Sequence, residues 1–233
     1  MRRRAGTSLL ILSTVAVAVV ASGITSSGAG AAVVDERSVV PYEHAGEPML
    51  FVGDSLCVGA RDHGGGLTGA LRSAGWEPEY LCGSGEGLEW GLAEVEDLGH
   101  VPSTVVIALG TNPDPRDPSF EEQATALRDE LVARGAVRVA WVDFADARGR
   151  YDDKNVVLHD LARRHGDGLV RWSALVDDHP DWFRSDGLHY RELGMRQWSR
   201  RIADETLRLR VAPLPPLDDA VGMVTRSLAA RDD

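Results

Sequence analysis

Five short apolar runs, separated by helical patterns, constrain this 233-residue chain more than any other feature. The runs cover residues 49–52, 79–81, 104–109, 137–142 and 169–172. Most are nearly continuous in apolar residues, as strands buried on both faces are. Between them the spacing predicts helices. One spans 67–73 and is closed by Gly75. A second spans 87–98 and is closed by Gly99. Ser119 with Glu122 reads as a capping box opening a helix that runs to Arg134 and stops at Gly135. Another spans 153–164 before Gly166, and a long one starts near Arg191. Met195, Trp198 and Ile202 recur at helical spacing in that last helix and read as a core stripe. Strand and helix alternating over this length give an α/β fold: a parallel sheet of about five strands covered on both faces.

Hydrophobic content of 43% and charged content of 26% fit a folded globular protein and exclude wholesale disorder. The length suits one domain with tails. Residues 1–31 read as an export signal. Arg2, Arg3 and Arg4 form a basic head, an apolar run covers 9–21, and Ala29-Gly30-Ala31 offers a small-residue cleavage site. The apolar run is short of the ~20 residues a membrane span needs. Residues 32–47 form an extended lead-in, 48–210 the domain, and 211–233 a proline-rich tail with a short helix. Cleavage removes three arginines and no acid, taking the net charge from −11 to −14. That balance argues against nucleic acid and anionic membrane as partners. The expectation is a secreted monomer without stable membrane insertion once the signal is gone.

Open parallel sheets bind ligands at the carboxyl ends of their strands. Several chemistry-bearing residues fall there. Gly53-Asp54-Ser55-Leu56 follows the first run, where a helix begins, so the Ser55 hydroxyl stands in the positive field of a helix N-terminus. A hydroxyl attacks an ester carbonyl poorly unless a base takes its proton. His189 is the candidate base, since an imidazole ordinarily titrates near ~6.5. Asp186, three residues earlier, is the candidate to orient the imidazole, and Gly187 between them eases the turn. Negative charge on the former carbonyl oxygen needs donors. The candidates are the Ser55 backbone N–H, a backbone N–H in the glycine-rich segment 83–87, and the Asn112 amide of Gly110-Thr111-Asn112. The structural alternatives are a capping serine and a turn asparagine before Pro113.

The ordered set resembles the SGNH, or GDSL, hydrolases. The first motif stands here as Gly53-Asp54-Ser55-Leu56. The second is a loop glycine, best matched by Gly85, with Gly91 six residues on and Gly83 and Gly87 as alternatives. The third is Gly110-Thr111-Asn112, and the last is Asp186-Gly187-Leu188-His189. Many members place Asp directly after the third-motif asparagine, whereas here Pro113 intervenes before Asp114. The resemblance implies a flavodoxin-like three-layer α/β/α fold. It also implies a serine esterase mechanism with no metal or other cofactor, acting on an acyl ester of a small molecule, carbohydrate or lipid. Some members transfer acetyl groups instead. The Gly-Thr-Asn pattern and the tryptophan-rich approach to Asp186 look most like SGNH domains associated with cell-envelope acyltransferases.

Cys57 and Cys82 are the only cysteines. In an oxidising compartment they form a disulfide or remain two separately buried thiols. His63-Gly64-Gly65-Gly66 mimics the oxyanion loop of another lipase class, but it follows Ser55 and no Gly-x-Ser-x-Gly exists, so it reads as a loop. Asp152-Asp153 and Asp177-Asp178 lack the spaced oxygen ligands of a calcium loop and read as helix starts or solvated faces. Trp76, Trp90, Trp141 and Trp182 are read as core before sugar platforms.

Overall fold

The computed structural model describes residues 46–112 and 114–211, and of Val211 the backbone alone. The signal segment 1–31, nearly all of the lead-in and the proline-rich tail lie outside the described residues. Five strands form one parallel sheet: β1 Glu47–Gly53, β2 Trp76–Cys82, β3 Thr104–Ala108, β4 Arg138–Val142 and β5 Gly168–Val170. Their spatial order is β2-β1-β3-β4-β5. This is the flavodoxin-like order, and its switch point lies between β1 and β3.

The helices are α1 Ser55–Asp62, α2 Leu67–Ser73, α3 Leu88–Glu96, α4 Phe120–Ala133, α5 Asp152–His165, α6 Ser173–Val176 and α7 Glu192–Val211, with a 3-10 turn at Pro180–Trp182. Side chains alternate across each strand, so the sheet feeds two cores. Met49, Phe51, Val106 and Ala140 face α1, α2 and α7, where Leu71, Met195, Trp198 and Ile202 close the first core. Leu50, Val52, Val105, Ile107 and Trp141 face α3, α4 and α5, where Val95, Leu127 and Leu158 close the second. The Met195-Trp198-Ile202 stripe is core. Trp76 and Trp141 are fully buried, whereas Trp90 and Trp182 are half-buried.

Two elements depart from the sequence reading. β2 begins at Trp76, three residues before the predicted run, because Glu47–Met49 of β1 offer Trp76–Pro78 a parallel partner. Pro78 lacks an N–H but lies in an edge strand, where one side of the ladder is free. The expected capping box does not form. The Ser119 hydroxyl donates to Asp117 Oδ1 at 2.6 Å and makes no cap bond, so Asp117 organises the start of α4.

Candidate active site

The first strand ends in Gly53, and Asp54 turns the chain into α1. Asp54 is the helix cap, with Oδ1 accepting from the Leu56 N–H at 2.9 Å. Its other carboxylate oxygen accepts from the Thr111 hydroxyl, at the end of β3. Asp54 is fully buried, and that burial pushes its carboxyl up against the lowering effect of the Thr111 and Leu56 hydrogen bonds and of nearby His189. Ser55 is thereby the first residue of α1. Its backbone N–H has no acceptor among the described residues.

His189 arrives from the opposite end of the chain on a tight loop. Arg184 N–H donates to His189 O at 2.7 Å, and Phe183 and Tyr190 form an antiparallel bridge. Gly187 turns the loop with φ of 75°, a conformation glycine adopts without strain. Asp186 Oδ1 accepts from the backbone N–H groups of Leu188 at 2.8 Å and His189 at 2.9 Å. Its Oδ2 lies 3.0 Å from His189 Nδ1, and His189 Nε2 lies 2.9 Å from Ser55 Oγ. A carboxylate only accepts, so Nδ1 carries the proton and Nε2 is left to accept from the serine. Burial works to raise the Asp186 pKa, but the two backbone N–H groups and the imidazole outweigh it and hold the carboxyl below its ordinary range.

Asn112 follows β3 and reaches across to the loop after β2. Its Nδ2 donates to Glu86 O at 3.2 Å. An amide nitrogen carries two hydrogens, and the second has only a 3.5 Å contact with Thr111 Oγ1. Of the three loop glycines, Gly83 spends its N–H on Gly53 O at 3.1 Å, extending the β1–β2 ladder. The N–H groups of Gly85 and Gly87 have no acceptor among the described residues, and both residues line a cleft with Asn112. Gly85 has φ of 81°, which a side chain at that position would strain.

Two clefts are lined by candidate site residues. One of about 190 Å³ is lined by Ser55, His189, His63, Ser84, Arg184 and Met195. The other, about 460 Å³, is lined by Gly85, Asn112, Glu86, Glu89, Trp90 and Gln123. The first contains no carboxylate and the second no lysine or arginine. Cys57 and Cys82 are joined by a disulfide, with Cα atoms 6.0 Å apart. It links α1, two residues past Ser55, to the end of β2. The sequence reading left that bridge undecided. It missed Asp54 and Thr111 as a clasp, although both lie inside the motifs and a capping Asp is a legible signal. It also missed Arg184 and His63 as cleft residues, for which nothing local is diagnostic. No group of acidic, histidine or cysteine side chains among the described residues is arranged to hold a metal ion.

No family model matches the sequence, and neither does any curated protein. Solved structures do match. The C-terminal catalytic domain of Streptococcus pneumoniae peptidoglycan O-acetyltransferase A superposes with a TM-score of 0.59 at 17% identity, over 72% of this chain and 97% of that one. A Clostridium thermocellum family 3 carbohydrate esterase gives 0.56 at 15% identity, over 71% and 98%. A Slackia heliotrinireducens protein assigned to the SGNH hydrolases gives 0.55 at 15% identity, over 69% and 99%. The fold is that of the SGNH hydrolases. In this SGNH fold the sheet order brings the ends of β1, β2 and β3 side by side, which is why Ser55, the 83–87 loop and Asn112 share one rim. No helix among the described residues is long and apolar enough to cross a membrane.

Proposed function

We propose that the chain is an exported SGNH-family serine esterase that cleaves a short acyl ester through an acyl-enzyme at Ser55. The observation that carries this reading is the continuous path from Ser55 Oγ through the His189 imidazole to Asp186, in two contacts of 2.9 and 3.0 Å. His189 Nε2 takes the Ser55 proton as Oγ bonds to the ester carbonyl carbon. The oxygen that becomes negative accepts from the Ser55 N–H, the Gly85 N–H and the Asn112 amide. Collapse of the tetrahedral intermediate expels the alcohol, which takes the proton from His189. Water, activated by the same imidazole, then releases the acid. Asp186, held ionised, steadies the imidazolium at each stage.

The test is hydrolysis of p-nitrophenyl acetate by the purified chain lacking residues 1–31. Ser55→Ala lowers kcat about 10³-fold or more. Full activity in that variant overturns the assignment. A fluorophosphonate probe labels Ser55 in the folded wild type, and absence of labelling favours an inert binding module.

A second reading uses the same acyl-enzyme and passes the acyl group to a sugar hydroxyl in place of water. The likeness to an O-acetyltransferase domain supports it. So does the open cleft beside Asn112, where Trp90 and several polar side chains suit a polyhydroxylated acceptor. Product analysis with acetylated donor and oligosaccharide acceptor separates the two. Transfer requires acetylated sugar above the hydrolysis background.

A further inference from the structure

The segment that carries Asn112 is gripped from behind by two side chains at the start of α5. Tyr151, buried, donates its hydroxyl to Thr111 O at 2.8 Å. Lys154, only 4% exposed, donates Nζ to Gly110 O at 2.9 Å and to Asp114 O at 2.8 Å. The three carbonyls belong to residues on both sides of Asn112 in the chain. The Lys154 ammonium also lies over the Phe120 ring at 4.9 Å from its centre, with Tyr151 at 5.8 Å and Phe144 at 6.0 Å. The next residue, Asn155, fixes the helix to β4's exit. It accepts from Phe144 N–H at 2.9 Å and donates to Phe144 O at 2.7 Å.

A buried ammonium is an expensive way to fill space. Burial lowers the Lys154 pKa, while Asp117 and Asp114 pull it up. No carboxylate of the described residues forms an ion pair with it. Among the described residues its direct hydrogen bonds are to backbone carbonyls alone. Methionine of similar volume would pack against the same rings but leave Gly110 O and Asp114 O without this donor. The chemistry present is therefore specific to holding a backbone segment still.

We propose that Tyr151 and Lys154 are positioning residues that set the aim of the Asn112 amide without touching substrate. The inference rests on Asn112 acting as an oxyanion donor. A donor displaced by about an ångström loses on the order of 10²-fold in rate. The grip therefore acts on kcat and leaves ground-state binding alone.

The test is a pair of double-mutant cycles on p-nitrophenyl acetate, with Tyr151→Phe and Lys154→Met each made alone and with Asn112→Ala. Each single change lowers kcat about 10- to 100-fold, with KM nearly unchanged. Neither adds a further loss once Asn112 is alanine. An equal loss in both backgrounds overturns the proposal, because the residues then act independently of Asn112. If Asn112→Ala alone leaves kcat intact, the donor reading fails and the positioning role falls with it. Tyr151→Phe removes a single oxygen atom and keeps the cycle interpretable if Lys154→Met fails to fold. Circular dichroism and the unfolding temperature establish which variants are folded.

Discussion

Asp54 and Thr111 join the turn that carries Ser55 to the turn that carries Asn112. The threonine hydroxyl donates to one oxygen of a fully buried carboxylate, and the other oxygen caps α1 through Leu56. One side chain thus fixes the proposed nucleophile and the proposed oxyanion donor relative to each other. Burial also raises the Asp54 pKa. A carboxyl raised in the folded state favours folding below its unfolded pKa of ~3.9, and that contribution is lost as pH rises through the folded value. Above ~3.9 the burial of this carboxyl therefore opposes folding. Asp54→Asn keeps an acceptor for Leu56 but turns an amide N–H toward Thr111, so the threonine hydroxyl must become the acceptor of that pair. With the ionisable group gone, the loss at pH 7 stays below about 1 kcal/mol. Asp54→Ala loses the cap and leaves the Thr111 hydroxyl unpartnered, for a loss of about 2–3 kcal/mol. Urea unfolding at pH 7 compares them. Equal destabilisation by both changes would show that the charge itself is needed.

The architecture was legible because its signals are local. Each of the five apolar runs became a strand, and α2 spans Leu67–Ser73 as its spacing predicts. The edges blurred where tertiary partners decide. Pro78 hid the first half of β2, and Asp117 displaced the Ser119 hydroxyl from its capping role. α6 has four residues and the turn at Pro180–Trp182 three, too short for any periodicity to register. Ser55, His189 and Asp186 were readable as a set because their chemistry is narrow. The Asp54–Thr111 clasp and the Tyr151 and Lys154 contacts were not. They link residues about 40 to 57 positions apart through backbone carbonyls and a capping carboxylate, for which many residue types serve equally well.

The Cys57–Cys82 bridge closes a loop across 25 residues. By loop-closure entropy such a crosslink removes about 3–4 kcal/mol of freedom from the unfolded chain. The Cys57→Ala/Cys82→Ala double variant should therefore unfold about 6–16 °C lower, given the usual scaling for a domain of this size. Because the bridge also ties α1 to the strand leading to Gly85, kcat should fall in the variant at temperatures where it is still folded. An unfolding temperature within about 2 °C of wild type would show that the bridge does not restrict the unfolded chain.

The pH–rate profile should have an acid limb of slope one. His189 must be neutral to take the Ser55 proton, so activity falls as the imidazole is protonated. Asp186 does not join that limb. Its carboxyl lies below the ordinary range, because the Leu188 and His189 N–H groups and the imidazole outweigh burial. A lowered pKa means that the carboxylate's contribution is intact above the unfolded value of ~3.9 and is lost only as pH falls through the folded one. Measured kcat/KM from pH 4.5 to 8 checks this. A slope of two above pH 4.5 would mean that Asp186 titrates together with His189, and a flat profile would remove His189 as the base.

Tyr190 follows His189 directly and anchors the loop that delivers it. Its hydroxyl accepts from the Trp172 indole N–H at 2.7 Å in the core, and its ring packs edge-on against Trp172. Its carbonyl accepts from Arg184 Nε at 3.2 Å, so both ends of the loop are held at one residue. Tyr190→Phe keeps the ring and removes the acceptor, leaving a buried indole N–H without a partner. Such an orphan costs about 1–3 kcal/mol. Burial drives the Tyr190 phenol far above its ordinary pKa, so the hydroxyl stays protonated throughout the working range. The loss in Tyr190→Phe is therefore the same at pH 5 and pH 9, unlike that at Asp54, where charge enters. Urea unfolding at both values tests this, and a loss that grows with pH would mean that the phenol ionises in the folded protein.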